Sequence, residues 1–139
     1  MRHLGIDYGR VRMGLSISDP TGSLAQPLTI LKNRPGVVEE IKELILSHQV
    51  EKIVIGLPLN MDGEEGEMVQ EAREFASKLQ ETTGLPVDTM DERLTSWEAH
   101  SIMKEAGLNR KKRSKLADKV AATLILQRYL DRQRDATGG

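Results

Sequence analysis

The stretch Arg2-His3-Leu4-Gly5-Ile6-Asp7 decides the fold, because it reads as a mostly apolar strand that ends in a carboxylate. It is followed at once by Tyr8-Gly9-Arg10, and then by a second β-rich run from Arg12 to Ser18. Two such runs separated by a few residues that include glycine predict a β-hairpin. Aspartate is disfavoured in strands, so Asp7 either serves the turn or holds a ligand.

The rest of the chain predicts the order β-β-β-α-β-α-β-α-α. A third strand is expected over Ala25 to Leu31, and apolar residues at helical spacing begin at Val37 and end at His48. The apolar run Lys52 to Gly56 is typical of a buried parallel strand. The later predicted elements, in chain order, are a helix over 65–82, a strand over 86–91, a helix from the capping box at 95–98 to 105, and a last helix over 114–132.

This order predicts an α/β fold: a mixed five-stranded sheet, first an antiparallel meander and then parallel strands, with helices on both faces. A length of 139 residues favours a single domain over 1–139, with a frayed tail over 131–139. The absence of cysteine excludes disulfides, thiolate metal sites and cysteine nucleophiles. No apolar run approaches the roughly 18 residues of a membrane span, so we expect a cytoplasmic protein that does not enter a membrane.

Acidic positions at the predicted strand ends are candidates for a metal site. Asp7 ends the first strand, Asp91 and Glu92 end the last, and Asp118 lies near the start of the final helix. Ligands of open α/β sheets bind beyond the carboxyl ends of the strands, so we expect these acids side by side. Clustered carboxylates repel one another, and Mg²⁺ relieves this with carboxylate, water and phosphate oxygens. Taken singly, each acid also has a structural interpretation, as a turn residue, a partner of Arg93 or a favourable charge at a helix start.

Basic residues near these acids are candidates for binding nucleic acid. Five positive charges occur within residues 110–115, at the predicted start of the last helix, where the helix dipole disfavours cations. Arginine and lysine contacts to phosphates supply most non-specific affinity for nucleic acid, although a solvated surface is the alternative. The acidic segment 62–74 is expected to face away from nucleic acid. The full candidate set is Arg10, Arg12, Asn60, Arg93, Arg110, Lys111, Lys112, Arg113 and Lys115.

Four motifs occur in order along the chain: GIDYGRVRMG at 5–14, IGLPLNMDG at 55–63, DERLTS at 91–96 and DKVAA at 118–122. They resemble the YqgF/RuvX family, also called the pre-16S rRNA nuclease or Holliday-junction-resolvase-like family. The resemblance extends from Arg2 to about Leu130 and implies a ribonuclease H-like fold. It also implies an acidic site made of Asp7, Glu92 and Asp118, with Asp91 as the alternative to Glu92.

The sequence therefore predicts a nuclease that depends on Mg²⁺ or Mn²⁺ and hydrolyses phosphodiester bonds in structured nucleic acid. Asp7, Glu92 and Asp118 would bind the metal, which activates water for in-line displacement at phosphorus. The resemblance implies 5′-end processing of precursor 16S rRNA. Two alternatives stay open: a Holliday junction resolvase acting on branched DNA, and a non-catalytic nucleic-acid-binding or ribosome-assembly factor on the same fold. The expected partner is precursor rRNA or branched DNA, and the expected state is a monomer or a homodimer.

Overall fold

The computed structural model of the chain describes residues 1–57, 66–91 and 110–136, of which Asp91, residues 110–118 and Ala136 are described by their backbone alone. Five strands and three helices lie in these ranges. In chain order they are β1 (Arg2–Asp7), β2 (Arg12–Ser18), β3 (Ala25–Lys32), α1 (Val37–His48), β4 (Val50–Leu57), α2 (Glu67–Thr83), β5 (Val87–Asp91) and α3 (Arg110–Ala136).

The five strands form one sheet in the order β3-β2-β1-β4-β5. β1, β2 and β3 are antiparallel neighbours, while β1 pairs with β4 and β4 with β5 in parallel. The carboxyl ends of β1, β4 and β5 therefore meet at one edge of the sheet, which we call the carboxyl edge. The predicted mixed sheet, a meander followed by parallel strands, is confirmed.

Side chains alternate between the two faces of the sheet, as the period of two in a strand requires. On one face, Leu4 and Ile6 of β1 join Ile53 and Ile55 of β4 in a buried apolar cluster with α1 and α2. On the other face, Val54 and Met90 pack with Ile125 and Leu126 of α3. Helices thus cover both faces, as predicted, and the two faces belong to different helices.

Local chemistry sets the ends of the first two helices. α1 begins after Gly36, whose φ is 95°, and α2 ends at Gly84, whose φ is 71° and whose backbone N–H bonds to the carbonyl of Gln80. These left-handed conformations are the ones that glycine adopts without steric cost. The predicted boundaries of these helices therefore lie within two residues of the observed ones.

The last helix is longer than predicted at both ends. It begins at Arg110 and ends at Ala136, so the expectation of a frayed tail is wrong for residues 131–136. The Asp131 carboxylate bonds to both Gln127 and Arg134, at 3.0 and 2.6 Å. Pairs at these spacings stabilise a helix, which extends α3 beyond its last buried apolar residue, Leu130. The helix predicted over 95–105 lies outside the described residues. In the described part of the chain, no helix is long and apolar enough to cross a membrane.

Candidate active site

Asp7 is the last residue of β1 and stands, half-buried, at the carboxyl edge. It pairs in register with Gly14 of β2 and with Gly56 of β4. Neighbouring side chains in register share a face of the sheet, and glycine has none. The carboxylate of Asp7 is therefore flanked on both strands by positions that leave room beside it.

The acids that end β1 and β5 are not side by side, as the sequence analysis expected. β4 lies between the two strands, which at one strand spacing each sets them about 10 Å apart. That expectation was wrong because it took the two strands as neighbours. Gly56 is in register with Met90, and Leu57 with Asp91, so position 91 lies one residue farther along the chain than the level of Asp7.

The direction of α3 decides where Asp118 falls. Ala122 and Leu126 lie against Gly5, and Tyr129, farther along the helix, lies against His3, with ring centroids 5.9 Å apart. α3 therefore runs antiparallel to β1. Position 118 precedes Ala122 by one turn, about 6 Å along the helix, and Asp7 follows Gly5 by two residues, a similar length along the strand. The backbone thus carries position 118 towards the carboxyl edge, where Asp7 lies.

The remaining predicted ligand, Glu92, lies outside the described residues, as do Asn60 and Arg93. Asp91 and Asp118 are placed by their backbone alone. Among the side chains that the structure describes, no three histidine, cysteine, aspartate or glutamate residues gather as a metal site. Asp7 is the one predicted ligand in that set.

The hairpin that follows Asp7 is held tightly in place. A Cβ at Gly9 would lie 2.3 Å from the carbonyl oxygen of Arg12, so this position excludes any other residue. Asn33 braces the turn twice, because its side-chain amide donates to the Gly9 carbonyl and its backbone N–H donates to the Val11 carbonyl. Nothing in the local sequence pattern signals these contacts of Asn33.

Arg10, at the tip of the hairpin, forms ion pairs with α2. Its Nε lies 2.9 Å from a carboxylate oxygen of Glu71, and its guanidinium lies 3.8 Å from Glu67. The hydrogen bond to Glu71 raises the pKa of Arg10. Glu67 and Glu71 belong to the acidic segment 62–74, and these contacts place them beside the hairpin. Arg12 begins β2 and is half-buried.

The cationic run predicted to bind nucleic acid forms the first turns of α3, which contains Arg110, Lys111, Lys112, Arg113 and Lys115. No acidic residue lies in the first turn to offset these charges. Position 118 lies towards the carboxyl edge, and the run precedes it in the helix. The backbone therefore places the run near that edge. The side chains of this run are outside the description.

A polar cluster that the sequence analysis missed lies at the opposite edge of the sheet. The Tyr129 hydroxyl donates to the Asp88 carboxylate, and the Lys52 ammonium lies 3.1 Å from the same carboxylate. These contacts lower the pKa of Asp88, the bond from Tyr129 having the larger effect. The three residues come from β4, β5 and α3, and their separation in sequence gives no pattern by which to predict the cluster.

Ser16 is a second missed residue. It lies in the middle of β2, has no exposed surface, and donates from Oγ to the Ala122 carbonyl of α3 at 2.7 Å. A hydroxyl within an apolar strand signals a buried partner, but the partner is 106 residues away.

Solved structures with similar backbones identify the fold. RuvC of Thermus thermophilus in complex with a Holliday junction substrate matches 96% of this chain and 95% of its own, with a TM-score of 0.57 and 19% identity. The fowlpox virus resolvase in complex with Holliday junction DNA covers 96% of this chain and 99% of its own, with a TM-score of 0.58 and 12% identity. The chain therefore has the ribonuclease H-like fold of these resolvases, as predicted.

Comparison with protein sequences is more specific. Residues 1–132 match the family model RuvX, described as Holliday junction resolvase. A relative from Syntrophomonas wolfei is 49% identical over 94% of both chains, and one from Clostridium botulinum is 46% identical over 95% of this chain and 98% of its own. Both carry the name "Putative pre-16S rRNA nuclease". Matches of this extent show that the chain belongs to the RuvX family.

Proposed function

We propose that this protein is a cytoplasmic, Mg²⁺- or Mn²⁺-dependent nuclease that processes the 5′ end of precursor 16S rRNA, acting through Asp7, Glu92 and Asp118. One observation carries the site: the antiparallel course of α3 over β1 takes position 118 to the edge where Asp7 ends its strand. The names of the sequence relatives support the substrate. The chain acts as a single domain, as a monomer or a homodimer.

The donor set suits a hard divalent cation. Carboxylate oxygens are the ligands that Mg²⁺ and Mn²⁺ prefer, and Asp7 presents its carboxylate beside two glycine positions of the neighbouring strands. When bound, the metal activates water and stabilises the charge that develops at phosphorus. In this proposal the three acids supply the oxygens that hold the metal, and the cations of α3 hold the phosphodiester.

Strand register supports Glu92 over Asp91 as the second ligand. Asp7 is in register with Gly56, and Gly56 with Met90, which packs on the α3 side of the sheet. Position 91 is in register with Leu57, a residue of the α1 and α2 cluster. Because faces alternate along a strand, position 91 belongs to the face opposite that of Asp7, which counts against Asp91 as the ligand.

The cations at the start of α3 supply the nucleic-acid contacts of this proposal. Arg110, Lys111, Lys112, Arg113 and Lys115 precede position 118 in the same helix. Contacts of this kind to phosphates position a nucleic acid without reading its sequence. Arg12, Asn60 and Arg93 remain candidates, while Arg10 would first have to leave Glu71.

A cleavage assay tests the proposal. Pure protein is incubated with labelled precursor 16S rRNA in Mn²⁺ or in EDTA, beside the variants Asp7→Asn and Asp135→Asn. We expect cleavage in Mn²⁺ and none in EDTA, and a cleavage rate at least about a hundredfold lower in Asp7→Asn, since the loss of residues that only support metal ligands already costs up to about a hundredfold. Asp135→Asn is the matched control, because it removes an exposed carboxylate from the end of α3 that lies away from the site.

Two results would contradict the proposal. Cleavage that persists in EDTA, or that is equally fast in Asp7→Asn and the unaltered protein, would show that the acidic metal site does not catalyse the reaction. Tight binding of the rRNA without cleavage in any divalent metal would instead favour the non-catalytic assembly factor.

Junction cleavage is the second candidate, and the description of the matching family favours it. Acidic ligands and a basic surface do not distinguish RNA from DNA, which a contact to the 2′-hydroxyl would do. A four-way DNA junction in the same assay decides between them: paired, symmetric incisions at a higher rate than on the rRNA would assign the chain to branched DNA.

A further inference from the structure

One contact between α3 and the sheet is polar and unusually close. The residues that form it are Gly5, Ser16, Ala122 and Leu126. Ser16 is opposite Gly5 in the β1–β2 register, and its hydroxyl donates to the Ala122 carbonyl at 2.7 Å. Both Ser16 and Ala122 are fully buried.

Gly5 makes this approach possible. A Cβ at Gly5 would lie 2.4 Å from Ser16 Oγ, 2.8 Å from Leu126 Cβ and 3.2 Å from the Ala122 carbonyl oxygen. The first two distances are too short for any real side chain, so any residue but glycine at this position would push either the hydroxyl or the helix away. Glycine is therefore required at position 5, because it leaves room for the Ser16 hydroxyl and for α3.

The hydrogen bond does what apolar packing cannot. Apolar contacts such as those of Ile125 and Leu126 are non-directional, so they tolerate a small slide or rotation of the helix. A hydrogen bond to a single carbonyl has a narrow range of length and angle. The bond from Ser16 therefore fixes both the height of α3 along the sheet and its rotation about its own axis.

We propose that Ser16 is a positioning residue for the acidic site, and that it sets the place of position 118 relative to Asp7 through the Ala122 carbonyl one turn away. The inference rests on the proposed function, in which both acids bind one metal site. Metal ligands must be held to within about 0.5 Å of their productive geometry, so a small displacement of α3 weakens metal binding before it affects the fold.

The test is Mn²⁺ binding by titration calorimetry on the full chain without nucleic acid. The variant is Ser16→Ala, and Ser18→Ala is the matched control, since Ser18 is equally buried in the same strand and its hydroxyl accepts from the His3 N–H and donates to the Asp19 carbonyl, neither of which belongs to α3. We expect the dissociation constant to rise about tenfold in Ser16→Ala, as for other residues that orient metal ligands, and to stay unchanged in Ser18→Ala.

Thermal unfolding of each variant separates positioning from folding. Ser16→Ala loses the hydrogen bond to the Ala122 carbonyl, whereas Ser18→Ala loses two, from the His3 N–H and to the Asp19 carbonyl. The melting temperature of Ser18→Ala should therefore fall at least as far, so a weaker metal affinity confined to Ser16→Ala is not a difference in stability. Asp7→Asn, which should abolish Mn²⁺ binding, completes the set.

Each outcome separates the two proposals. If the unaltered protein binds Mn²⁺ and Asp7→Asn does not, the acidic site stands. An unchanged affinity in Ser16→Ala then overturns the positioning role alone, as does an equal loss in Ser18→Ala. If the unaltered protein binds no Mn²⁺, the proposed function and the positioning role both fail.

Discussion

The two faces of the sheet are held by different kinds of contact. On the α1 and α2 face, the buried cluster is almost wholly aliphatic, with Leu4, Ile6, Ile53 and Leu79 fully inaccessible to solvent. The α3 face combines a smaller apolar cluster with polar anchors along the helix. These anchors are the bond from Ser16 to Ala122, the bonds of the Gln127 amide to Ser23 and Ala25, and the bond from Tyr129 to Asp88.

The two faces therefore contribute different things: one contributes most of the stability of the fold, and the other sets the position of α3. Apolar burial contributes most of the free energy of folding and is indifferent to small shifts, whereas hydrogen bonds contribute less each but define a geometry. The α1 and α2 face therefore stabilises the sheet, and the α3 face aligns a helix on it. The proposed site needs the second property, because it draws ligands from both the sheet and α3.

The largest effect is expected from the apolar face. Leu79→Ala removes a fully buried side chain of α2 and leaves a cavity in the main cluster, so the free energy of unfolding should fall by about 3 kcal/mol. Urea denaturation measures it, with Leu46→Ala as the control because Leu46 is 70% exposed on the neighbouring helix. A loss no larger than that of Leu46→Ala would show that this face does not carry the stability.

A smaller effect is expected from the anchor of α3 at the far edge. Tyr129→Phe removes the hydroxyl that bonds to Asp88 and keeps the ring, so the free energy of unfolding should fall by about 1 kcal/mol. A double-mutant cycle with Asp88→Asn should recover a coupling energy between the two residues. Full additivity in that cycle would mean that the hydroxyl and the carboxylate do not act as an anchor.

The smallest effect concerns pH on the same face. His3 packs against Tyr129, and its burial, with the nearby Lys52 and N-terminal ammonium, lowers its pKa in the folded state. The unfolded chain therefore takes up a proton first as the pH falls below about 6.5, so stability declines from there through the folded pKa. Urea titrations between pH 7.5 and 5 should show this decline, and His3→Gln should flatten it. A slope unchanged by His3→Gln would mean that other groups set the pH dependence.

Local patterns in the sequence predict the elements better than their arrangement. β1, β2 and α1 were predicted with their observed bounds, because hairpin chemistry and helical periodicity are contained within each segment. The position of β4 between the acids of β1 and β5 was not predicted, because strand order is a property of the whole sheet. Likewise, Arg10 meets Glu71 across 61 residues, and Ser16 meets Ala122 across 106.

The ion pairs of Glu67 and Glu71 with Arg10 affect how a polyanion approaches the carboxyl edge. α2 presents carboxylates on one flank of the carboxyl edge, while the chain places five cations on the other, at the start of α3. A nucleic acid backbone is therefore repelled from the first flank and attracted to the second, within the screening distance of about 8 Å at physiological salt. We expect this asymmetric electrostatic field to guide the substrate in from the α3 flank. Electrostatics would then set the direction of entry before the protein contacts any base.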